Sequence, residues 1–264
     1  MFNVTNSPSD GFVWFVGAGP GAADLITVRG RDVLAGAEVV IHDELAGTEL
    51  LGWCRPDCVF HAVGKRAGQH GFSQEAINRL IVDEASRGRR VVRLKGGDPT
   101  VFGRLGEELA ALRAADIAFE IVPGVTAACA AAAAAGVSLT HRSHASAAVF
   151  VTGHECVKSD ADRIDWPALA RPGLTLCVYM GVRRFAAAAG QLIAAGLAPS
   201  TPVRIVSHIS QPGQRIADGT LADAEALTAD LAGQPALILV GEAVQSVSTH
   251  AAAELERSAV AALH

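Results

Sequence analysis

No stretch of the 264 residues is long and apolar enough to span a bilayer: the longest low-polarity run, Ala127 to Val137, is short and mostly alanine. The first ten residues lack the basic start and apolar core of a signal peptide. Five cysteines, Cys54, Cys58, Cys129, Cys156 and Cys177, are odd in number and scattered, unlike a secreted disulfide framework. A formal net charge of −5 leaves no basic surplus for nucleic-acid phosphates, and no short repeat is visible. These absences point to a soluble cytoplasmic protein without nucleic acid or membrane as partner. What is present is a chain half hydrophobic and only 19% charged, enough for a substantial buried core. Its length suits one large α/β domain or two compact ones.

The apolar run Phe12 to Val16 ends in Gly-Ala-Gly-Pro-Gly, as a buried strand entering a tight loop would. Ile26 to Leu34 reads as a helix and Glu38 to Ile41 as a strand ending near Asp43; Val59 to Val63 is a third strand. Ser73 caps a predicted helix, Gln74 to Ser86, with Ala76, Ile77, Leu80 and Ile81 on its apolar face. Strand Val91 to Leu94, helix Leu105 to Ala115 and strand Phe119 to Val122 follow, and the alanine run at 127–135 reads as a tightly packing helix. Strand, glycine loop and helix in repetition indicate parallel strands, with ligands at their carboxyl ends. The chemistry is therefore expected around residues 17–21, 95–104 and 123–127. From Ala147 the pattern restarts, with strands near 148–153, 174–179, 203–207 and 236–240. The expected architecture is α/β with two α/β domains, 12–138 and 147–250, linked by Ser138 to Ser146.

Each motif taken singly supports two readings. Gly17-Ala-Gly-Pro-Gly-Ala22 resembles a dinucleotide fingerprint, yet Pro20 removes an N–H that a phosphate cradle would use. In Leu94 to Arg104, Gly96 and Gly97 would let a ligand lie on bare backbone, and Asp98 could accept its hydrogen bonds. Alternatively Asp98 caps a turn and Arg104 pairs with Glu107 or Glu108. Gly64-Lys65-Arg66 and Thr140-His-Arg142 are either solvated loops or an electropositive pocket for a polycarboxylate. His154 is either a site residue or a buried, hydrogen-bonded histidine. Cys54 and Cys58 with His61 lack the second cluster that structural zinc needs, so packing is expected and no metal.

In sequence order these segments resemble the tetrapyrrole methylase family over residues 12–244, and within it the members that methylate uroporphyrinogen III. The resemblance is carried by Val16 to Gly21, Gly64-Lys65-Arg66, Arg93 to Arg104, Val122 to Ala128, Leu139 to Arg142, Phe150 to His154, Tyr179-Met-Gly181 and Pro235 to Glu242. It implies two α/β domains with the active site in the cleft between them, a homodimer, and S-adenosylmethionine as methyl donor. Because that donor carries no phosphate, Pro20 ceases to be an anomaly. Matching positions imply cofactor contacts at Pro20, Gly96, Gly97, Asp98, Val101, Thr126, Ala127, Met180 and Ala236. Arg104 and Glu107 would serve substrate handling and the proton step, with Lys65, Arg66, Arg142 and His154 binding substrate. An arginine is an awkward base because its pKa exceeds about 12, so Arg104 is read as a carboxylate fork. The implied reaction is C-methylation of uroporphyrinogen III at two pyrrole carbons, giving precorrin-2 for the siroheme, cobalamin and heme d1 branches.

The chain departs from the family's pattern in places. His42-Asp43-Glu44 stands for Tyr-Asp-Arg, Leu105 for glycine, Ser143 for aspartate, a tyrosine is missing near Ala134, and Ile209-Ser210 stands for glycine and threonine. Glu44 in particular lowers the positive charge expected near an eight-carboxylate substrate. Three other readings are a methylase of a later precorrin, a non-catalytic cofactor-binding paralogue, and an NAD-binding protein, the last opposed by Pro20.

Overall fold

Strand β1 (Phe12–Gly17) has Val13, Phe15 and Val16 fully buried, as a strand covered on both faces requires. It lies inside a five-stranded sheet with β2 (Val39–His42), β3 (Val59–Ala62), β4 (Arg90–Lys95) and β5 (Ala118–Val122), in the order β3-β2-β4-β1-β5. Every pairing in this sheet is parallel, so the strands' carboxyl ends share one edge. The computed structural model describes residues 11–43, 47–64, 72–153 and 164–245.

α-Helices make three of the four crossovers, α1 (Val28–Ala35), α2 (Gln74–Ser86) and α3 (Leu105–Ala114), and a 3-10 segment, Thr48–Trp53, lies between β2 and β3. Helix α2 starts where the sequence says, with Ser73 Oγ accepting from the Ala76 N–H at 3.2 Å. Its Ile77 and Ile81 pack with Leu105, Leu109 and Leu112 of α3 over Val13 and Phe15. Leu105, where the resemblance implies glycine, is thus a core residue. The opposite face of the sheet packs Val16, Val40, Val92 and Leu94 with Leu34, Leu50 and Cys58.

Helix α4 (Ala127–Ala135) follows β5, as the alanine run predicts. The second sheet contains β6 (Ala147–Thr152), β7 (Leu174–Tyr179), β8 (Pro202–Ser207), β9 (Arg215–Thr220) and β10 (Ala236–Val240), ordered β6-β7-β10-β8-β9. Here only β6 and β7 run parallel; the other pairings are antiparallel. Restarting the first half's pattern therefore overstates the likeness of the two halves. Strand β9 escapes sequence reading because its residues, Arg-Ile-Ala-Asp-Gly-Thr, are half-exposed at an edge and carry little apolar periodicity. Helices α5 (Trp166–Leu169), α6 (Phe185–Ala194) and α7 (Ala224–Thr228) complete this core, centred on Phe185, Leu176, Leu192, Ile205 and Ile238.

The chain divides into two compact units: residues up to Ala130 with Ile209–Pro212, and Ala131–His208 with the residues from Gly213 on. In the second unit, buried Arg204 ties α4 to the sheet edge: its Nη1 donates to the Ala135 carbonyl at 2.7 Å while its other nitrogens pair with Asp218. No helix among the described residues is long and apolar enough to cross a membrane.

Two thiols of the first unit, those of Cys54 and Cys58, act as packing groups. Cys58 is buried and Cys54 packs against the same cluster. Burial, then the neighbouring Cys58, pushes the Cys54 thiol up to about 12, and burial raises Cys58 as well. Because the thiolate is the reactive form, mass-mapped alkylation of the folded protein at about pH 8 should modify exposed Cys129 well before Cys54 or Cys58. Labelling Cys54 as fast as Cys129 would contradict its burial.

Candidate active site

The loops after β1, β4 and β5 meet at the carboxyl edge of the first sheet. Gly19 and Gly97 form an isolated two-way bridge, Gly97 N–H to Gly19 O at 2.7 Å and Gly19 N–H to Gly97 O at 3.2 Å. A Cβ at Gly17 would lie 2.6 Å from Gly124 Cα, and one at Gly124 would fall on the Gly97 carbonyl oxygen. Three backbones therefore touch where any side chain would separate them. Gly97 has φ of +67°, and a side chain there would stand over Thr126 and Ala127 with its nearest atoms at 3.9–4.0 Å. Bare peptide at the edge of a parallel sheet leaves that space for a ligand.

Asp98 secures this arrangement. One carboxylate oxygen accepts from the Thr100 N–H at 2.8 Å and from its hydroxyl, and the other from the Gly124 N–H at 2.9 Å. The carboxylate thus joins the second loop to the third, the turn-capping role among the two readings of this residue. Pro20 and Val101 are half-buried in their loops. The Ala22 N–H donates to Ser210 Oγ at 3.1 Å, so Ile209–Pro212 packs on the first loop. The replacements at 209 and 210 are accommodated there, with Ile209 buried.

Arg104 is the N-cap of α3 in the left-handed region, φ 54° and ψ 23°. Its guanidinium forms two parallel 2.8 Å bonds to the Glu107 carboxylate, with both side chains more than half exposed. Glu107, not Glu108, is the partner. Non-glycine residues with positive φ are Phe102, Arg104, Asp116, Met180, His208 and Ser210 among the described residues. Phe102 and Arg104 lie in the 95–104 segment and Met180 in Tyr179–Gly181, while Ser210 is one of the replaced positions.

In the second unit, Met180 follows β7 with φ 52° and stands 57% exposed. Ala236 opens β10, paired with Ser207. Arg142 is exposed in the turn bridged by His141 and Ala145. Lys65, Arg66, His154 and Glu44 lie outside the described residues.

Sequence reasoning missed a buried ionic network beneath the glycine loops. Arg93 and Lys95, on β4, share Glu108 of α3 at 2.9 and 2.8 Å, and Arg93 Nη2 reaches Asp43 Oδ1 at 2.6 Å. Glu108 is fully buried, Arg93 and Lys95 nearly so, and Asp43 is 34% exposed at the end of β2. Burial opposes the Arg93 charge, but Asp43 and Glu108 outweigh it and hold the guanidinium above the usual arginine range. Burial, then Arg93, pushes the Lys95 ammonium below the usual lysine range against the pull of Glu108. The available signal was two cations, Arg93 and Lys95, flanking Leu94 directly after Val91 and Val92 in a strand expected to be buried: buried charges demand partners.

Gly124→Ala should lower stability by about 1–3 kcal/mol, the usual cost of overpacking, because both obstructing groups are backbone. Gly106→Ala, where a Cβ meets nothing within 4 Å inside α3, should hold or raise stability by up to ~1 kcal/mol through helix propensity. Denaturant melts of both variants check this, and equal effects would refute the close approach.

Comparison with known proteins adds to this geometry. Residues 13–225 match the model for tetrapyrrole (corrin/porphyrin) methylases. A siroheme synthase from Yersinia pseudotuberculosis is 50% identical over 234 residues, covering 89% of this chain and 49% of that protein; the chain thus spans about half the length of such curated relatives. A uroporphyrin-III C-methyl transferase from Thermus thermophilus, complexed with S-adenosyl homocysteine, superposes with a TM-score of 0.75 at 36% identity, covering 89% of this chain and 99% of the other. A cobalt precorrin-4 methyltransferase of cobalamin biosynthesis gives a TM-score of 0.80 at 27% identity, covering 92% and 100%. With four-fifths of the chain under one family model and a 36% identical relative matched almost end to end, this chain belongs to the tetrapyrrole methylase family.

Proposed function

We propose that the chain is an S-adenosylmethionine-dependent methyltransferase that converts uroporphyrinogen III to precorrin-2 by methylating two pyrrole carbons. The observation that carries this is the glycine edge, in which Gly17, Gly97 and Gly124 close on one another beside the space over Thr126 and Ala127. A loop with proline in place of a donor suits a nucleoside without phosphate better than a dinucleotide. The higher identity to the uroporphyrin-III enzyme than to the cobalt precorrin-4 enzyme, 36% against 27%, favours the early substrate over a later precorrin.

When bound, S-adenosylmethionine supplies a sulfonium methyl group that is already an activated electrophile. The protein's task is then positioning and charge management. Gly96 to Asp98, Val101, Thr126-Ala127 and Pro20 in the first unit, with Met180 and Ala236 in the second, are the proposed cofactor contacts. Arg104, steadied by Glu107, is the proposed fork for a substrate carboxylate, and Lys65, Arg66, Arg142 and His154 are proposed for the remaining acidic groups. Methylation of a pyrrole carbon leaves iminium-like positive charge, relieved when a neighbouring meso carbon loses its proton to a substrate carboxylate or water. Asp43, a carboxylate that Arg93 orients at the same edge, can stabilise that charge. We place the enzyme in the cytoplasm as a homodimer; light scattering at micromolar concentration should give twice the chain mass, and monomer alone would refute the dimer.

The deciding experiment is incubation of the purified chain with uroporphyrinogen III and S-adenosylmethionine, followed by mass analysis. Two added methyl groups are expected, and no methylated product would overturn the proposal. Arg104→Lys keeps the charge but loses the paired geometry, so turnover should fall roughly ten- to a hundredfold, the size of one or two charge-assisted hydrogen bonds. Affinity for S-adenosylhomocysteine should hold. Wild-type turnover in the folded variant would return Arg104 to the role of an exposed ion-pair partner, which is worth little.

A further inference from the structure

The buried acid Glu108 has no part in the proposed methyl transfer, yet it sits at the centre of the most completely buried charged cluster described in the protein. Its two oxygens are divided between two cations: Oε1 accepts from Arg93 Nε at 2.9 Å, and Oε2 from Lys95 Nζ at 2.8 Å. Gln74, from α2, reaches Oε1 at 3.5 Å as the neutral neighbour. Arg93 is held on its remaining sides by the Ile41 and Leu94 carbonyls at 3.4 and 3.3 Å and by Asp43 Oδ1 at 2.6 Å. The guanidinium therefore has one orientation, and its outward nitrogen hands that orientation to Asp43. The Asp43 backbone is fixed as well, its N–H donating to the Leu94 carbonyl at 3.3 Å.

Two buried cations stand near two carboxylates: Leu94 lies in register with His42, so Lys95 and Asp43, the next residues of these neighbouring parallel strands, stand side by side. Coulomb attraction at low dielectric is strong, so Lys95 would turn to Asp43 if nothing nearer held it. Glu108 is what holds it. We propose that Glu108 is a positioning residue: by engaging Lys95 and bracing Arg93, it keeps Asp43 paired with Arg93 alone and its carboxylate presented at the carboxyl edge of the sheet. The inference rests on the reading that this edge carries the substrate chemistry.

Gln at 108 keeps the size and can still accept from Arg93 Nε, but its amide N–H faces the Lys95 ammonium, donor against donor. Lys95 must then find another acceptor, and Asp43 is the carboxylate within its field. Glu108→Gln is expected to lose at least roughly tenfold in turnover per cofactor-loaded site, with S-adenosylhomocysteine binding at full stoichiometry and within about threefold of wild-type affinity. Such a split between turnover and cofactor binding is foreign to a purely structural defect. In Glu108→Gln/Lys95→Met the competing ammonium is gone while Arg93 and Asp43 remain balanced, so turnover per site should recover to within about threefold of wild type. This second variant also keeps the test open if the first folds poorly. Unchanged turnover per site in Glu108→Gln, or no recovery in the folded double variant, would overturn the proposal. A crystal structure of Glu108→Gln tests the same point without any activity measurement: Lys95 Nζ on Asp43 is expected, and Asp43 still paired with Arg93 alone refutes the inference. Wild-type protein that methylates no tetrapyrrole would instead defeat the proposed function, leaving that crystal structure to judge Glu108.

Discussion

Backbone-to-backbone contact at one edge of a parallel sheet is the constraint on which the site depends. Gly17, Gly97 and Gly124 end or follow three adjacent strands, and their atoms are close enough that no Cβ fits between the first and the third. The parallel arrangement makes this meeting unavoidable, because all the carboxyl ends face the same way. Glycine in turn makes it tolerable. Asp98 then pins the second loop to the third with its two oxygens, so its carboxylate serves the loops' own geometry.

Beneath that edge lies a second layer of organisation with a different energetic character. The apolar cores on either face of the sheet are non-directional and tolerate repacking. The Glu108–Arg93–Lys95–Asp43 cluster is directional and costly to disturb, since removing one partner of a buried ion pair typically costs about 3–5 kcal/mol. Its exposure rises from Glu108 in the interior to Asp43 at the edge. A helix-borne acid can thereby determine what a strand-end carboxylate presents to a ligand, through a guanidinium whose planar fork permits few arrangements.

The two halves differ in how openly they declare themselves. In the first, a strand buried on both faces, a glycine loop and an amphipathic helix follow in a repeat that periodicity reads well; α2 and α4 lie at their predicted bounds. In the second, the same hydrophobic spacing serves a mostly antiparallel sheet, and β9 is too polar and too exposed to register as a strand. Strand direction is not encoded in apolar periodicity, which is the same for parallel and antiparallel neighbours.

Taken alone, the sequence determined where the first sheet's strands end, which loops carry the glycines, and that Pro20 argues against a phosphate. Those are local matters of residue type and spacing. Only the tertiary structure decided which acids matter and how. Glu107 and Glu108 are adjacent in sequence, yet a rotation of about 100° around α3 sends one to solvent with Arg104 and the other into full burial between Arg93 and Lys95. Asp43 and Arg93 meet across 50 residues of chain. A buried charge must find its partner wherever the fold brings one, and that choice is made by packing, at a range that no local pattern records.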